Sequence, residues 1–325
     1  MKTSSKWFMT AGAALFLAAC GNGDSEENSN DTSSGEGSDT EEQQTVEVET
    51  MNGDMVEVPL NPEKVVSFDH GVTDSIRAIG GDISGIPMGS NVPEYLQELE
   101  NDDSVENVGS LFEPDFELIY EMEPDVIFIS GRASENYEEL SEIAPTVFLQ
   151  VDNQNFMETF ESNMNVLGEI FDASEEVDSQ LADINSVIED VQARADESEA
   201  NALIVSIDEG SASAYGIGSR FGIVHDVLGI PAADEDIPAE GHGQNISNEY
   251  FSVTDPDYIF AIDRGASIGN SATADDVLAN EEVQRTPAYE NDNIYQLNSE
   301  VWYLSGSGLE SVKIIVDEIN EAYEQ

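Results

Sequence analysis

The sequence has few residues of several types that would point to particular functions. It contains one cysteine, three histidines and ten lysines and arginines, against 69 aspartates and glutamates, which gives a formal net charge of −59 at pH 7. With one cysteine, no disulfide can form within the chain, so its stability must come from a hydrophobic core. The 325 residues are enough for two lobes of ordinary size. So negative a field repels nucleic acid and anionic lipid head groups, and neither is expected as a partner.

Motifs of common enzyme and metal-site classes are also missing. The three histidines, His70, His225 and His242, show no paired spacing such as His-x-x-x-His, which disfavours direct capture of manganese or zinc. The sequence has no Gly-x-Ser-x-Gly elbow, His-Glu-x-x-His motif or catalytic cysteine. An acid–base pair among the many carboxylates stays open, but a binding protein is favoured over an enzyme.

The N-terminus has the layout of an export signal. Lys2 and Lys6 precede an apolar run of 13 residues from Trp7 to Ala19, which is too short to span a bilayer as a helix. We therefore predict a signal peptide over residues 1–19. The Leu-Ala-Ala-Cys ending resembles the lipobox of bacterial lipoproteins, which implies a lipid on the sulfur of Cys20 and a place on the extracytoplasmic face of the cell membrane. An uncleaved anchor is the alternative.

The rest of the chain divides by composition and periodicity. Residues 20–44 lack any large apolar side chain, which predicts a disordered acidic tether behind the lipidated cysteine. Short buried runs then alternate with helical patterns, which favours an α/β fold with parallel sheets. Apolar residues recur at helical spacing without a strand over 156–199, which predicts one long or once-broken helix. The expected lobes are therefore residues 45–155 and 200–325.

An internal echo links the two predicted lobes. Glu117 lies 15 residues before Arg132, Glu249 lies 15 residues before Arg264, and a Pro-Asp pair followed by a buried run stands between them in both cases. Pro-Asp ends a helix and precedes a strand, so each arginine falls at the carboxyl end of a strand, where open α/β sheets place ligands. Chance matching of generic elements is the alternative.

From about residue 45 to its end the chain resembles the bacterial substrate-binding lipoproteins that feed iron-siderophore and vitamin B12 ABC importers. Five runs are similar to the ferric petrobactin and catecholate-siderophore binders of Gram-positive bacteria: Gly218–Gly222, His225–Gly229, Gly241–Gln244, Ile262–Gly265 and Trp302–Ser311. The resemblance implies two Rossmann-like α/β lobes with parallel-rich sheets, a single long helix joining them, and a ligand cleft between the lobes.

The resemblance also implies a function and a set of site residues. We expect a monomer without a cofactor of its own, which captures a ferric siderophore and delivers it to the membrane permease of an ABC importer. Arginines would hold the anionic iron complex, aromatic rings would lie against catechols, and a histidine would donate to a ligand oxygen: Arg132, Arg220, Arg264, Trp302, Tyr303 and His242. Salt bridges for the arginines and core packing for one of the aromatic residues are the alternatives.

Two carboxylates are expected to act outside the cleft. Glu117 and Glu249 match the family positions that dock each lobe onto arginines of the permease, although an exposed glutamate is more often only solvated. Binding of haem or cobalamin by the same fold, or of a bare metal ion, remains as an alternative function. His70 is expected at the cleft mouth, and His225 is expected to be structural.

Overall fold

The computed structural model describes residues 44–239 and 241–323, so the predicted signal peptide, Cys20 and almost all of the predicted tether lie outside the described residues. The strands are β1 Thr45–Glu49, β2 Met55–Pro59, β3 Val65–Ser67, β4 Gly85–Ile86, β5 Glu106–Asn107, β6 Val126–Ile129, β7 Thr146–Phe148, β8 Ala202–Asp208, β9 Ser211–Tyr215, β10 Gln244–Ile246, β11 Tyr258–Asp263 and β12 Ile294–Gln296. The α-helices are α1 His70–Ala78, α2 Gln97–Glu100, α3 Phe116–Met122, α4 Tyr137–Ser141, α5 Phe156–Ile170, α6 Ser174–Asp196, α7 Ile223–Asp226, α8 Asn248–Thr254, α9 Arg264–Ser267, α10 Ala274–Leu278, α11 Pro287–Glu290 and α12 Leu309–Tyr323. Short 3-10 segments and a π-helical turn complete the fold: Glu94–Leu96, Gly131–Asn136, Asn153–Asn155, Val283–Arg285 and Val301–Ser305.

A two-stranded hairpin opens the described chain, as its alternating sequence predicts. Strands β1 and β2 are antiparallel and pair Thr45 with Pro59 at their outer ends. The connecting turn contains Gly53 at a φ of 83°, a conformation that glycine adopts without steric cost. Val48 and Val58 are buried, so the hairpin presents one apolar face to the core.

Each lobe is built on one five-stranded sheet. The first sheet has the order β5-β4-β3-β6-β7, and all of its pairings are parallel. The second has the order β10-β9-β8-β11-β12, in which β8, β11 and β12 are parallel while β9 and β10 pair antiparallel. The predicted α/β class with parallel-rich sheets is confirmed. Strands β6 and β11, each with a neighbour on both sides, are buried along their whole length, as expected for strands covered on both faces.

The internal echo has a structural counterpart in each lobe. Helices α3 and α8 are both seven residues long, and each ends at a residue in the left-handed conformation, Glu123 at φ 49° and Asp255 at φ 50°. A left-handed residue stops the helix, and the proline that follows it cannot continue one. The chain then enters β6 in the first lobe and β11 in the second. Matching sequence signals thus give matching helix–strand units.

The region between the lobes is helical and broken once. Helices α5 and α6 pack against each other and are separated by a short link in which Asp172 takes a φ of 49°. The 23 residues of α6 span about 35 Å, and its buried side chains recur every three or four residues along one face. Of the two forms predicted, the once-broken helix is therefore the one observed.

The last helix contacts the first lobe as well as the second. Helix α12 packs against both α6 and α1, and α1 belongs to the first lobe. The backbone N–H groups of Leu309 and Ser311 donate to Ser75 (3.0 Å) and Asp74 (3.2 Å) of α1. A boundary at residue 200 does not anticipate this long-range contact. Within the described residues, no helix combines the length and the apolar character needed to cross a bilayer.

Candidate functional site

A cavity of about 490 Å³ lies between the lobes, and we call it the first cavity. Both lobes line it, the first lobe chiefly through the ends of β6 and β7 and the second through the loops after β9 and β12. The polar side chains in its wall include Asp69, Ser130, Arg132, Gln150, Arg220, His242, Tyr303 and Ser307. The predicted cleft between two lobes is therefore present. Five of the six predicted ligand-binding residues line this cavity, namely Arg132, Arg220, His242, Trp302 and Tyr303, whereas Arg264 lines a neighbouring one.

Arg132 and Arg264 follow the buried strands of the internal echo. Arg132 is the second residue of the 3-10 segment after β6, and Arg264 begins α9 directly after β11. Because the carboxyl ends of both strands face the cleft, the two side chains approach each other from opposite lobes. Their guanidinium carbons lie 6.0 Å and 5.3 Å from the centre of the Tyr303 ring.

Arg220 reaches the same ring from the loop between β9 and α7. Its guanidinium carbon lies 4.3 Å from the Tyr303 ring centre and 5.4 Å from that of Phe221, a geometry suited to cation–π attraction. Burial lowers the pKa of Arg220, and the nearby charge of Arg132 lowers it further. The three predicted arginines thus converge on one aromatic residue, although their positions in sequence are far apart.

Tyr303 is held by its backbone as well as by its ring. It lies in the π-helical turn Val301–Ser305. Arg132 donates from Nη2 to the carbonyl oxygen of Tyr303 (2.9 Å) and from Nη1 to that of Leu304 (3.2 Å). Arg220 also donates to the Tyr303 carbonyl. These contacts orient both guanidinium groups at the cavity wall.

The Tyr303 phenol has an electropositive environment. Nε of Arg264 donates to the phenol oxygen at 2.9 Å. Burial alone would raise the pKa of Tyr303, but the Arg264 hydrogen bond and the charge of Arg220 outweigh it and bring the pKa below its ordinary value. Arg264 also forms an ion pair with Asp208, so one of the three arginines already has a carboxylate partner.

His242 lies at the junction of two cavities. Its side chain lines the first cavity and also a neighbouring one, and the residue is exposed between Gly241 and Gly243, which both take positive φ angles of 84° and 79°. The hydroxyl of Tyr215 donates to the backbone carbonyl of His242 at 2.8 Å and so anchors the loop that carries this histidine. The histidine predicted from the sequence is therefore at the cleft.

Trp302 and Tyr303 are adjacent but have different surroundings. Trp302 is 3% exposed, and its indole N–H donates to Glu318 of α12 at 2.8 Å. Its ring packs edge-on against Phe221, at 6.2 Å between ring centres. The alternative of core packing therefore applies to the Trp302 ring, which forms part of the cavity wall. The Tyr303 side chain is only half-buried.

The structure corrects the position expected for His70. This residue is fully buried rather than at the cleft mouth, and its Nε2 lies 3.0 Å from the carbonyl oxygen of Asn91. Burial lowers the pKa of His70 to about 4, and the charge of Arg132 acts in the same direction. His225, predicted to be structural, is largely buried and bonds through Nδ1 to the carbonyl oxygen of Ile230 at 2.8 Å.

Asp69 and Phe112 are among the cavity residues that the sequence-based set lacks. Asp69 caps α1 by accepting from the backbone N–H of Val72 at 3.0 Å, and burial raises the pKa of its carboxyl although Arg132 opposes the shift. Phe112 lines the cavity with 66% of its surface exposed. Asp69 could have been found because it directly follows a buried strand, whereas no pattern in the sequence marks Phe112.

The two glutamates predicted to dock the permease occupy matching places. Glu117 is the second residue of α3 and Glu249 is the second residue of α8. Both residues are exposed, and neither carboxylate takes part in an ion pair with another described residue. The structure therefore leaves both free to contact another molecule. Each lies on the helix before the strand that is followed by Arg132 or Arg264.

The part of the chain that the structure describes contains no group of three or more histidine, cysteine, aspartate or glutamate side chains placed to hold a metal ion. The arginines instead give the first cavity the character of an anion site, because guanidinium groups keep their charge and donate in a fixed, planar geometry.

Two α/β lobes around an arginine-lined cleft define a solute-binding protein, and the chain belongs to the periplasmic binding protein family, whose model matches residues 65–301. It is 40% identical to the petrobactin-binding protein YclQ of Bacillus subtilis over the full length of both chains. It is 32% identical to the ferric-anguibactin-binding protein FatB of Vibrio anguillarum, over 81% of this chain and 83% of that protein.

Solved structures give the same result. The crystal structure of YclQ from Bacillus subtilis superimposes with a TM-score of 0.84 at 41% identity, over 87% of this chain and all of that one. The siderophore-binding protein BauB, solved with a complex of two acinetobactin molecules and ferric iron, superimposes with a TM-score of 0.78 at 26% identity, over 86% and 99% of the two chains. These relatives are thus proteins that bind petrobactin, ferric anguibactin and a complex of acinetobactin with ferric iron.

Proposed function

We propose that this protein captures a ferric siderophore in the first cavity and delivers it to the permease of an ABC importer. One observation carries the proposal: three arginines from both lobes surround Tyr303 in the cleft, in a chain with only ten basic residues. The relatives named above, which bind petrobactin and ferric anguibactin, support the class of ligand. No chemical change to the ligand is part of the proposal.

The chemistry of the cleft fits a ferric catecholate. Such a complex is a net anion with an outer shell of phenolate oxygens, which accept hydrogen bonds from guanidinium groups. Arg132 and Arg220 donate hydrogen bonds to backbone carbonyls, and an anionic oxygen is a stronger acceptor than a neutral carbonyl. A ligand that contacts arginines of both lobes at once would favour an arrangement in which the two lobes are close together.

Delivery would depend on two further features. A lipid on Cys20 and the acidic tether would keep the protein at the extracytoplasmic face of the membrane, which raises its effective concentration at the permease. Glu117 and Glu249 would then contact arginines of the permease, one from each lobe. Exposed charges of this kind chiefly set orientation and association rate.

Quenching of Trp302 fluorescence tests the ligand class. A chain that starts at residue 21 retains Trp302 as its only tryptophan, in the wall of the first cavity. It would be titrated with ferric tris-catecholates, ferric hydroxamates, haem, cobalamin and Mn²⁺ or Zn²⁺. We expect saturable quenching by ferric catecholates at the lowest concentrations.

Each alternative gives its own result in this titration. Tightest binding of haem or cobalamin would replace the siderophore with another ligand of the same fold. Saturable heat with a bare metal ion in parallel calorimetry would indicate direct metal capture. Flat titrations across the whole panel would reject solute binding in this cavity altogether.

A further inference from the structure

A second cavity of about 450 Å³ adjoins the first one and shares His242 and Tyr303 with it. Apart from these two residues, its wall comes from β8, β9, the turn between them and the start of α9: Ser206, Asp208, Glu209, Ser211, Ser213, Tyr215 and Arg264. A ligand bound against Tyr303 in the first cavity is therefore next to this space. None of the roles inferred above uses the serines or the carboxylates of the second cavity.

This polar wall results from the alternating direction of the side chains along two paired strands. Strands β8 and β9 are antiparallel, and their register places Ser206 opposite Ser213 and Asp208 opposite Ser211. Since side chains on a strand alternate between faces, these four polar groups share one face. The intervening apolar residues, Val205, Ile207, Ala212 and Ala214, lie on the other face within the hydrophobic core. The serines are thus directed into the cavity by the register of the sheet.

The wall has more hydrogen-bond acceptors than its own residues satisfy. One carboxylate oxygen of Asp208 pairs with Arg264, while Oδ1 is buried and has no partner among the described residues. The hydroxyls of Ser211 and Ser213 make no hydrogen bond to any residue that the structure describes. A buried acceptor without a donor destabilises the protein, so a ligand that brings a donor to this acceptor gains binding free energy. The Asp208 side chain is 27% exposed, and its terminal torsion has no sharp preference, so the carboxylate can rotate towards a ligand.

The charges of the two cavities differ in sign. The first cavity carries Arg132 and Arg220 against the single buried carboxyl of Asp69. The second carries the carboxylates of Asp208 and Glu209 against Arg264. A molecule lying across both therefore meets cations at one end and an excess of carboxylate at the other.

We propose that the second cavity binds a protonated amine on an arm of the siderophore, so that the preferred ligand is an iron chelate with an anionic head and an ammonium-bearing arm. The inference rests on the proposed function, because the first cavity must hold the iron complex for the arm to reach Asp208. The ammonium would donate to Asp208 and to the hydroxyls of Ser211 and Ser213. Arg264 would keep its contact with Tyr303 and lose part of its counter-charge to the ligand.

A matched pair of ligands tests the proposal. One synthetic ferric catecholate carries a free amine on one arm, and the other is the same chelate with that amine acetylated. Their affinities would be compared by isothermal titration calorimetry with the full chain and with three variants: Asp208→Asn, Ser213→Ala and, as a control, Glu281→Gln. Glu281 is an exposed carboxylate of the same lobe outside both cavities. Circular dichroism would check that each variant is folded.

We expect the unaltered protein to prefer the amine form by about tenfold, as for one charge-assisted contact. Asp208→Asn should bring this preference below about twofold without weakening the acetylated form, and Glu281→Gln should keep it. Ser213→Ala leaves the ion pair between Asp208 and Arg264 intact and should reduce the preference about threefold. Equal affinity of both forms for the unaltered protein, or a preference that survives in Asp208→Asn, overturns the inference alone. Binding of neither form overturns the proposed function with it.

Discussion

Arg132 and Arg220, which come from different lobes, donate to the same acceptor, the backbone carbonyl oxygen of Tyr303. Two like charges are thereby held close together, and the repulsion contributes to the lowered pKa of Arg220 after the larger effect of its burial. A carbonyl dipole offsets part of this repulsion, but a full negative charge would offset more. The two guanidinium groups therefore form a site that favours an anion, next to the carbonyl oxygen of Tyr303.

Removing either charge should weaken binding of an anionic iron complex. For Arg220→Gln and Arg132→Gln we expect a loss of about 1.5–3 kcal/mol each, or roughly 10- to 150-fold in Kd for a ferric tris-catecholate measured by Trp302 quenching. Arg285→Gln is the matched control, since Arg285 is 60% exposed and pairs with Glu282. An equal loss in all three variants would indicate a general effect of net charge instead of a site in the cleft.

Tyr303→Phe separates the ring from its hydroxyl. The variant keeps the aromatic face near Arg220 and removes the acceptor for Nε of Arg264. Because the pKa of Tyr303 lies below its ordinary value, an alkaline titration followed by tyrosinate absorbance should lose its lowest-pH component in this variant. Tyr120→Phe, at an exposed site on α3, should retain that component. A lowest-pH component that persists in Tyr303→Phe would assign it to another tyrosine.

Local signals were enough to predict the echoed units and the two arginines that follow them. A Pro-Asp pair ahead of a buried run determines where each helix ends and each strand begins, and the arginine position then follows from counting residues. Arg220 has no such counterpart, because its loop follows an antiparallel strand that is present in only one lobe. Only the family resemblance predicts a place for Arg220 in the cleft, and nothing in the sequence predicts its contact with Tyr303.

Features that depend on distant parts of the chain were not predictable. Trp302 and Tyr303 are neighbours, and the π-helical turn decides which ring packs on Phe221 and which one faces the arginines. The contact of α12 with α1 joins residues more than 200 positions apart, and periodicity gives no information about such partners. His70 was misplaced for the same reason: the sequence shows that it follows a strand, but not that Asn91 covers it.

The symmetric glutamates predict a transport defect without a binding defect. Glu117→Ala and Glu249→Ala should each lower the rate of ferric-siderophore uptake several-fold in cells that carry the permease, and the double variant should lower it further, because each lobe loses one contact. Affinity for the ligand should not change, since both side chains lie outside the first cavity. Glu121→Ala on α3 provides a control on an exposed carboxylate of the same helix. If uptake by the double variant matches that of Glu121→Ala, docking does not use these residues.

Burial of His70 should make the fold less stable in mild acid. Its pKa falls from 6.5 to about 4 on folding, so the unfolded chain takes up a proton in this range that the folded chain does not. The resulting stability is fully present above pH 6.5 and is lost as the pH falls towards 4, by about 3 kcal/mol in total. Urea unfolding of His70→Gln should therefore lose less free energy between pH 7 and 5 than the unaltered protein does. Identical losses would mean that His70 is protonated in the folded state.

Asp74 should act in the opposite direction within the same helix. Burial raises its pKa from 3.8 to about 7, against hydrogen bonds from Ser311 and Tyr95 that lower it. Between these two pH values the folded chain keeps a proton that the unfolded chain has released, so rising pH removes stability, on the order of 4 kcal/mol by pH 8. Asp74→Asn keeps the shape and lacks this titration.

The expected result for Asp74→Asn is therefore a difference in slope. Its free energy of unfolding, measured in urea from pH 5 to 8, should fall less steeply with pH than that of the unaltered protein, whatever the absolute loss from the weaker contacts to α12. His70 and Asp74 are one turn apart on α1. Because the pKa of His70 is about 4 and that of Asp74 is about 7, both side chains are uncharged in the folded protein near pH 5–6, where their opposite effects on the free energy of unfolding overlap. A steeper fall in the variant would show that Asp74 is ionised in the folded protein and that its contacts with Tyr95 and the start of α12 stabilise the charge.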